Sequence, residues 1–283
     1  MMLTAPKVGL GLRREMLNEM KDQVPDEIDF FEVAPENWMK LGGQFQKSFR
    51  ALTEQYEFYT HGLSLSIGGP KNLDIDFIKD IKTFLDFHQI QVYSEHLSYC
   101  SGLGHLYDLM PIPFTQEAVF HVADRVKRVE DIIERPLILE NVSFYGAPGA
   151  QMTELEFIQA VLAETNCQLL LDVNNIYVNA VNHGYDALAF LQAIPQERIY
   201  YLHIAGHFQQ TADLIIDTHG ADVEDPVWQL LSQCYDYHGV FPTLLERDFN
   251  IPKTEVLLRE IRKIKQYQKQ RMYSSPSILS RSA

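Results

Sequence analysis

The sequence predicts an α/β fold, a single (β/α)8 barrel of the TIM type, from three observations. The chain has 283 residues, and a TIM barrel of about 250 residues fills such a length as one domain. Short apolar runs alternate with amphipathic stretches, and no Pro/Gly-rich linker divides them. The runs are apolar nearly throughout, which is typical of strands buried on both faces of a parallel sheet.

The apolar runs predict eight strands. One domain is expected over residues 1–273, followed by a polar tail, Ser274–Ala283, that is expected to be flexible. In chain order the predicted strands are Val8–Leu12, Ile28–Val33, Phe58–Leu65, Gln91–His96, Pro136–Val142, Gln168–Val173, Ile199–Ile204 and Pro242–Arg247.

Helical periodicity fills the segments between several of these strands. Ile75–His88 carries its apolar residues on one stripe, and Asp74 is its predicted N-cap. Thr153 and Glu156 have the spacing of a capping box at the start of another helix. The other predicted helices are Gln116–Ile133, Ala187–Ala193, Pro226–Tyr237 and Thr254–Tyr267.

Composition excludes several classes of protein. Hydrophobic residues make up 46% of the chain, which is enough for a sizeable core and excludes disorder of the whole chain. No apolar run approaches the roughly 18 residues of a membrane span, and the first residues lack a secretory pattern. Cys100, Cys167 and Cys234 are far apart and form neither a disulfide framework nor a CxxC site. We therefore expect a reduced, cytoplasmic protein with no membrane partner.

The chain is acidic, with a net charge of −14. Nucleic-acid binding usually requires a basic face, so we expect no nucleic-acid partner.

Polar residues fall at the ends of the predicted strands. In a (β/α)8 barrel, catalytic groups come from the C-terminal strand ends and the loops that follow them. Six consecutive predicted strands end in or carry His, His, Glu, Asp, His and Glu. They are His61, His96, Glu140, Asp172, His203 and Glu246, and the loops after the sixth and seventh strands add Asn175, Asp217 and His219.

These nine residues are predicted metal ligands. Imidazole and carboxylate groups without thiolate suit iron, zinc or manganese, and bridging carboxylates suit a cluster of two or three ions. Converging carboxylates repel one another unless a cation compensates them. The catalytic candidates are Glu140, His96, Asp172 and Glu246.

The ordered ligand set resembles the xylose isomerase-like superfamily of TIM barrels, including the trinuclear zinc apurinic endonucleases. Those endonucleases have histidine at the position of Asn175, and a neutral amide oxygen is a poorer ligand, so the third ion is expected to be the most weakly held. The resemblance implies one ion held by groups matching His61, His96 and Glu140, a second by groups matching Glu140, Asp172, His203 and Glu246, and a third by groups matching Asn175, Asp217 and His219.

A closer resemblance covers roughly residues 5–270. The chain is similar to the multinuclear non-heme iron-dependent oxidative enzymes, a family that includes the iron subunit of methanobactin biosynthesis. Its most specific segment is Leu171–Asn179, in which the asparagine belongs to the family pattern. The other segments are Gly9–Arg13, Ala34–Trp38, Ser94–Ser98, Leu139–Val142 and Leu245–Asp248.

This resemblance implies an enzyme with two or three irons that uses molecular oxygen to modify cysteine residues of a ribosomally made peptide. It also implies a separate partner protein that helps to present the peptide. Cys100 is not expected to take part in the chemistry. Arg247 is expected either to orient a peptide carboxylate or to pair with Asp248, and His183 and His207 have no assigned role.

Two alternatives stay open at this point. One is a zinc-dependent hydrolase or isomerase of the apurinic endonuclease or xylose isomerase type, which shares the ligand order. The other is a metal-binding protein without catalytic activity. The metal content of the purified protein distinguishes the three hypotheses. Iron supports the oxidative enzyme, stoichiometric zinc supports the hydrolase or isomerase, and the absence of metal supports the protein without catalytic activity.

Overall fold

A computed structural model describes residues 6–102 and 104–274, and within them eight parallel strands close into a barrel. Each strand pairs with its neighbours in chain order, and the last strand closes onto the first with Val8 opposite Thr243. The (β/α)8 prediction is confirmed. The strands are β1 Val8–Gly11, β2 Phe30–Val33, β3 Glu57–Gly62, β4 Val92–His96, β5 Ile138–Glu140, β6 Gln168–Asp172, β7 Ile199–Ile204 and β8 Thr243–Leu245.

Helices surround the barrel and bury their apolar faces against it. The predicted caps are present: the Asp74 side chain accepts from the Phe77 amide, and Thr153 with Glu156 forms a capping box. The α-helices are α1 Leu17–Asp22, α2 Gly43–Thr53, α3 Ile75–His88, α4 Gln116–Ile133, α5 Glu154–Glu164, α6 Val173–His183, α7 Ala187–Ala193, α8 Asp225–His238 and α9 Thr254–Ser274, and the 3-10 turns are Arg14–Met16, Pro35–Asn37 and Gln196–Arg198.

The interior of the barrel is filled, not hollow. A buried apolar plug occupies it, with Phe30 and Tyr59 in ring contact at 4.4 Å and Tyr201 fully buried. This layer is separate from the larger core between the strands and the helices. The full plug is Phe30, Tyr59, Val92, Ile138, Leu170, Tyr201 and Leu244.

Two β-hairpins in the described part of the chain extend the C-terminal face, and the sequence analysis did not predict them. The first pairs Ser98–Ser101 with His105–Pro111 after β4, and the second pairs Phe208–Thr211 with Leu214–Ile216 after β7. The second hairpin is fastened to α6, where the Asn182 amide group exchanges two hydrogen bonds with the Ile215 backbone, at 2.8 and 2.9 Å.

Element boundaries differ from the predictions at several points. The third predicted strand extends to Leu65, whereas β3 ends at Gly62, and the eighth narrows to Thr243–Leu245. Helices α1, α2 and α6 were not predicted. The predicted flexible tail lies outside the described residues apart from Ser274, which ends α9. No helix among the described residues is long and apolar enough to cross a membrane.

Candidate metal centre

A layer of polar side chains lies directly above the apolar plug. Inward-facing residues of a strand recur every second position, and two residues after every plug residue stands a polar one. His61 follows Tyr59 in this way, and His203 follows Tyr201. The complete layer is Glu32, His61, Ser94, Glu140, Asp172, His203 and Glu246, and it is buried throughout.

The first group joins His61 and Glu140 of this layer, on β3 and β5, to His96 at the end of β4. The Nε2 atom of His61 lies 3.0 Å from Glu140 Oε2 and 3.1 Å from His96 Nε2. His96 Nε2 lies 3.4 Å from the same Glu140 oxygen. Three potential ligand atoms of these residues lie within 4.8 Å of one another, so one ion can contact all three.

The second group lies between β6, β7 and the residue after β8. His203 Nδ1 is 2.9 Å from Glu246 Oε2 and 4.0 Å from Asp172 Oδ2. Asp172 and His203 are completely buried. Glu140 reaches this group as well, because its ligand atom lies within 4.8 Å of those of Asp172 and His203. Glu140 therefore stands between the two groups, where a bridging carboxylate would stand.

The third group includes the loop after the second hairpin. His219 Nε2 is 2.8 Å from Asp217 Oδ1, and His219 Nδ1 is 3.2 Å from Glu246 Oε2. Asp172, His219 and Glu246 also form a group with ligand atoms within 4.8 Å. The structure thus brings the loop residues to the same cluster as the strand residues.

Asn175 lies in the first turn of α6, directly over the strand ligands. Its backbone amide donates to Asp172 Oδ1 at 2.6 Å, which makes Asp172 the N-cap of the helix. Its side-chain amide donates to Glu140 Oε1 at 3.2 Å. All nine predicted ligands therefore converge on one mouth of the barrel.

Six of the potential ligand atoms fit metal ions because they are buried and make no hydrogen bond, although they lie close to one another. Buried polar groups in proteins are normally hydrogen-bonded, and an unpaired one requires an explanation. Ions coordinated by these atoms satisfy all of them at once. The buried atoms without a hydrogen-bond partner include Glu140 Oε2, Asp172 Oδ2, Asn175 Oδ1, His203 Nδ1, His219 Nε2 and Glu246 Oε2.

Neighbouring carboxylates raise the pKa of three of the histidines. Burial opposes the charged form of His203, but Glu32 and Glu246 outweigh it and hold the pKa well above its usual value. At His219 the nearby Asp217 outweighs burial and holds the pKa well above its usual value. At His61 the nearby Glu140 outweighs burial and raises the pKa of His61 to about 9. His96 differs, because burial and the neighbouring His61 lower its pKa to about 4.

At the carboxylates, burial raises the pKa and neighbouring histidines lower it. Burial raises the pKa of Asp172 to about 7. At Glu246 the penalty of burial is outweighed by His203 and His219, which hold the pKa well below its usual value. Protons on the histidines thus compensate the carboxylates where metal cations would do so more directly.

A cavity of about 410 Å³ opens above the ligands. Ser143 and Thr218 place hydroxyl groups on its wall, and Leu63 and Leu109 place apolar side chains there. Arg13 adds a cation that pairs with Asp248 and lies 3.9 Å from Glu246. The cavity can therefore accept a side chain and its flanking backbone next to the ligand cluster.

Arg247 does not occupy the position that the sequence analysis expected. Its guanidinium group is buried, 2.8 Å from Asp222 and 3.3 Å from Glu260, so it neither faces the cavity nor pairs with Asp248. The strand alternation explains this, because Glu246 points inward and its neighbour must point outward.

Three further residues acquire structural roles. The Nε2 atom of His183 lies 2.8 Å from the Phe144 carbonyl, at the edge of the mouth. His207 Nδ1 lies 2.8 Å from Asn174 Oδ1, and the same Asn174 donates to Asp217. Cys100 is a buried free thiol whose pKa is raised by burial, which does not favour a reactive thiolate.

The sequence analysis missed Glu32, Arg13 and the role of Asp248. Glu32 had a detectable signal, since a carboxylate interrupts an otherwise apolar run, Phe30–Val33, that forms a barrel strand. Asp248 lies 3.3 Å from His219 Nδ1 and was read as a possible partner of Arg247. Arg13 also had a signal, because a closed barrel sets the residues after β1 beside those after β8 and so brings Arg13 to Asp248.

The chain is similar to known proteins over nearly its whole length. A profile of the RiPP precursor modification enzyme MbnB/TglH/ChrH matches residues 7–269. The chain is 70% identical over 277 residues to a protein of Shewanella sediminis named UPF0276 protein, and the match covers 98% of both chains.

Solved structures share the fold. A putative xylose isomerase from Rhodospirillum rubrum superposes with a TM-score of 0.62 at 15% identity, over 96% of this chain and all of the other. An L-ribulose 3-epimerase superposes with a TM-score of 0.61 at 12% identity, over 97% and 99% of the two chains. At such identities the likeness shows the TIM-barrel fold and says nothing about the reaction.

Proposed function

Because the chain belongs to the family of RiPP precursor modification enzymes MbnB/TglH/ChrH, we propose that it is a di- or tri-iron enzyme that oxidises cysteine residues of a ribosomally made peptide. Membership of the family implies a peptide substrate. The observation that carries the metal-dependent part is the set of buried, unpaired donor atoms that converge at the barrel mouth.

Histidine and carboxylate donors in this mixture suit iron, zinc or manganese, and the resemblance to the iron-dependent oxidative enzymes favours iron among them. The proposed sites are the three groups that the resemblance implies. In the third, formed by Asn175, Asp217 and His219, the ligand atom of His219 also lies within 4.8 Å of those of Asp172 and Glu246. When bound, the irons supply Lewis acidity toward a cysteine thiolate and one-electron redox chemistry toward dioxygen, which is the electron acceptor. In this proposal Glu140, His96, Asp172 and Glu246 are the catalytic ligands.

The chain's own residues supply the dry, shaped surroundings. The ligand layer is closed below by the apolar plug, so solvent reaches it from the cavity side. The cavity lining mixes hydroxyl and apolar groups beside Arg13. Arg13, and not Arg247, is the side chain placed to orient a carboxylate or a backbone carbonyl of the peptide.

The rim of the mouth favours binding of an extended polypeptide. Apolar side chains are exposed on the loops around it, including Leu63, Tyr145, Phe208 and Phe249. We propose that the peptide, and a separate partner protein that presents it, contact this rim. The acidic chain does not favour nucleic acid. Its free, buried thiols suit the reducing cytoplasm, where we propose that it acts.

The test is anaerobic reconstitution with iron, followed by addition of a cysteine-containing peptide encoded beside the gene, any partner encoded with it, and then oxygen. Mass spectrometry should show a change in the peptide that requires oxygen and is lost in His96→Ala. The matched control is Cys100→Ser, which should keep the activity because the Cys100 thiol is buried. An unmodified peptide, together with zinc-dependent cleavage of abasic DNA, would overturn the proposal in favour of the hydrolase.

A further inference from the structure

We propose that Glu32 is a positioning residue of the metal centre, and that it fixes the rings of two ligands, His203 and His61, through two hydrogen-bonded paths. The inference rests on the proposed function, because it assumes that both histidines bind ions. It adds a residue from β2, a strand that contributes none of the nine predicted ligands.

The first path is direct. His203 Nε2 lies 3.0 Å from Glu32 Oε1 and 3.2 Å from Glu32 Oε2. A carboxylate only accepts hydrogen bonds, so the Nε2 atom must carry the proton. An ion that binds between Glu246 and Asp172 would displace the proton of Nδ1, which lies 2.9 Å from Glu246, and would use the lone pair of that atom, while Nε2 keeps its proton toward Glu32. A carboxylate behind a ligating imidazole also increases its basicity.

The second path runs across the barrel through two hydroxyl groups. The Tyr201 hydroxyl donates to Glu32 Oε2 at 2.7 Å. The Ser94 hydroxyl lies 2.7 Å from the Tyr201 oxygen, and His61 Nδ1 lies 2.8 Å from the Ser94 oxygen. These distances are those of good hydrogen bonds.

The direction of this path follows from its end. Tyr201 has a single hydroxyl proton, which it donates in the hydrogen bond to Glu32. The Ser94 hydroxyl is therefore left to donate to Tyr201 at 2.7 Å, in preference to the Thr60 carbonyl at 3.1 Å. The Ser94 oxygen in turn accepts from His61 Nδ1. The Nε2 atom of His61 is left with its lone pair toward the first group of ligand atoms. One carboxylate thus sets the tautomer of two rings on different strands.

Glu32 is itself close enough to be considered a ligand, since one of its carboxylate oxygens lies within 4.8 Å of ligand atoms of His203 and Glu246. Its contacts favour the positioning role. Glu32 Oε2 accepts hydrogen bonds from Tyr201 and His203, and Oε1 lies 3.0 Å from the same His203 nitrogen. Neither oxygen is among the buried atoms that lack a partner. Glu140, Asp172 and Glu246, in contrast, each have one oxygen without a partner.

His96 provides an internal contrast. It shares the first group with His61, but its Nδ1 atom has no hydrogen-bond partner among the described residues. His61 and His203 sit deeper and are linked to the Glu32 network in the interior of the barrel. In this low-dielectric setting a chain of hydrogen bonds polarises strongly and rigidifies its members.

The experiment uses Zn²⁺ as a diamagnetic probe of the full-length protein labelled with ¹⁵N-histidine. Affinity is measured by competition with a chelator, and imidazole N–H signals are assigned with single histidine substitutions. The variants are Glu32→Gln and Tyr201→Phe. The matched controls are Glu154→Gln and Tyr185→Phe, because Glu154 is also buried and also accepts from a tyrosine hydroxyl, at 3.1 Å, but lies outside the centre.

Glu32→Gln should weaken Zn²⁺ binding about 10- to 100-fold and move the N–H signals of both His203 and His61. Tyr201→Phe should move the His61 signal and leave the His203 signal in place, because it interrupts only the longer path. The control variants should change neither affinity nor signals.

Two results would overturn the proposal: Zn²⁺ affinity of Glu32→Gln within twofold of Glu154→Gln, or an unmoved His61 signal in Tyr201→Phe. If Glu32→Gln does not fold, Tyr201→Phe carries the test alone. Neither readout involves peptide or oxygen. A failure here is therefore separate from a failure of the proposed peptide chemistry.

Discussion

The centre is assembled from two kinds of ligand that are held in different ways. The strand-borne ligands, within β3 to β7 or directly after β8, are His61, His96, Glu140, Asp172, His203 and Glu246. The loop-borne ligands, Asp217 and His219, follow the second hairpin. Strand positions are fixed by the backbone ladders of the barrel, for example by the register that sets His96 opposite Glu140.

The loop-borne ligands depend on side chains from elsewhere. Ser143 and Asn174 donate to the two oxygens of Asp217, at 2.9 and 3.0 Å. His219 adopts a left-handed backbone with φ of 49°, a conformation that is uncommon for residues other than glycine. The geometry of the barrel positions the strand-borne ligands, which form the inner sites. A network of side-chain hydrogen bonds positions the loop-borne ligands, which form the outer site, and this site should bind its ion more weakly.

The largest effect is expected from Glu140→Gln. Glu140 lies in two of the candidate groups, so its loss should lower occupancy by about two ions and not one. Elemental analysis after reconstitution measures this, with Glu154→Gln as the control for a buried glutamate elsewhere. A full metal complement in Glu140→Gln would show that Glu140 does not bridge the two groups.

Asp217→Asn should have a smaller effect that is confined to the outer site. The substitution removes one anionic ligand and leaves the strand-borne group intact, so occupancy should fall by about one ion. Asp213→Asn is the matched control, because Asp213 is exposed on the same hairpin. If Asp217→Asn lost as much metal as Glu140→Gln, the distinction between inner and outer sites would be wrong.

Removal of all ions should destabilise the fold without unfolding it. Metal binding to the folded chain adds to stability, by about 2.7 kcal/mol per site when the free ion is at 100 times its Kd. The strands and plug do not depend on ions, so we expect Tm to fall by about 5 °C or more on chelation. Calorimetry of verified apo and reconstituted samples checks this, and an unchanged Tm would contradict a preformed anionic cluster.

The smallest expected effect is a release of protons on metal binding. The pKa of His61 is raised to about 9, and those of His203 and His219 are raised as well, so these rings hold protons at pH 7. Metal ions displace those protons. Net release should therefore be measurable at pH 7 and decline as the pH rises past about 9. Titration calorimetry in buffers of different ionisation enthalpy detects it, and zero release at pH 7 would contradict the assignment.

The division into strand-borne and loop-borne ligands also explains which parts of the centre the sequence could predict. Barrel strands are short apolar runs, and residues at their ends, such as His61 and Glu140, are brought together by the fold class alone. The loop geometry behind Asp217 and His219 depends on hairpins whose exposed strands carry weak patterning. The spacing of the two residues predicts that they are ligands, but no spacing predicts the groups that hold them.

The network below the centre was missed for a different reason. Ser94 and Tyr201 are ordinary residues for buried strands, and nothing local marks them as hydrogen-bond partners. They could have been found by counting inward positions, since Ser94 belongs to the same layer as His61. Arg247 was misplaced because adjacent strand residues face opposite sides, so it could not share the cavity with Glu246.

The most direct test of the two-part centre is a crystal structure of the iron-loaded protein at limiting iron, with anomalous data at the iron edge. The strand-borne groups should fill first, giving peaks between His61, His96 and Glu140 and between Asp172, His203 and Glu246. The peak beside Asp217 and His219 should appear only at higher iron. A first peak at the loop, with the strand-borne groups empty, would contradict the account.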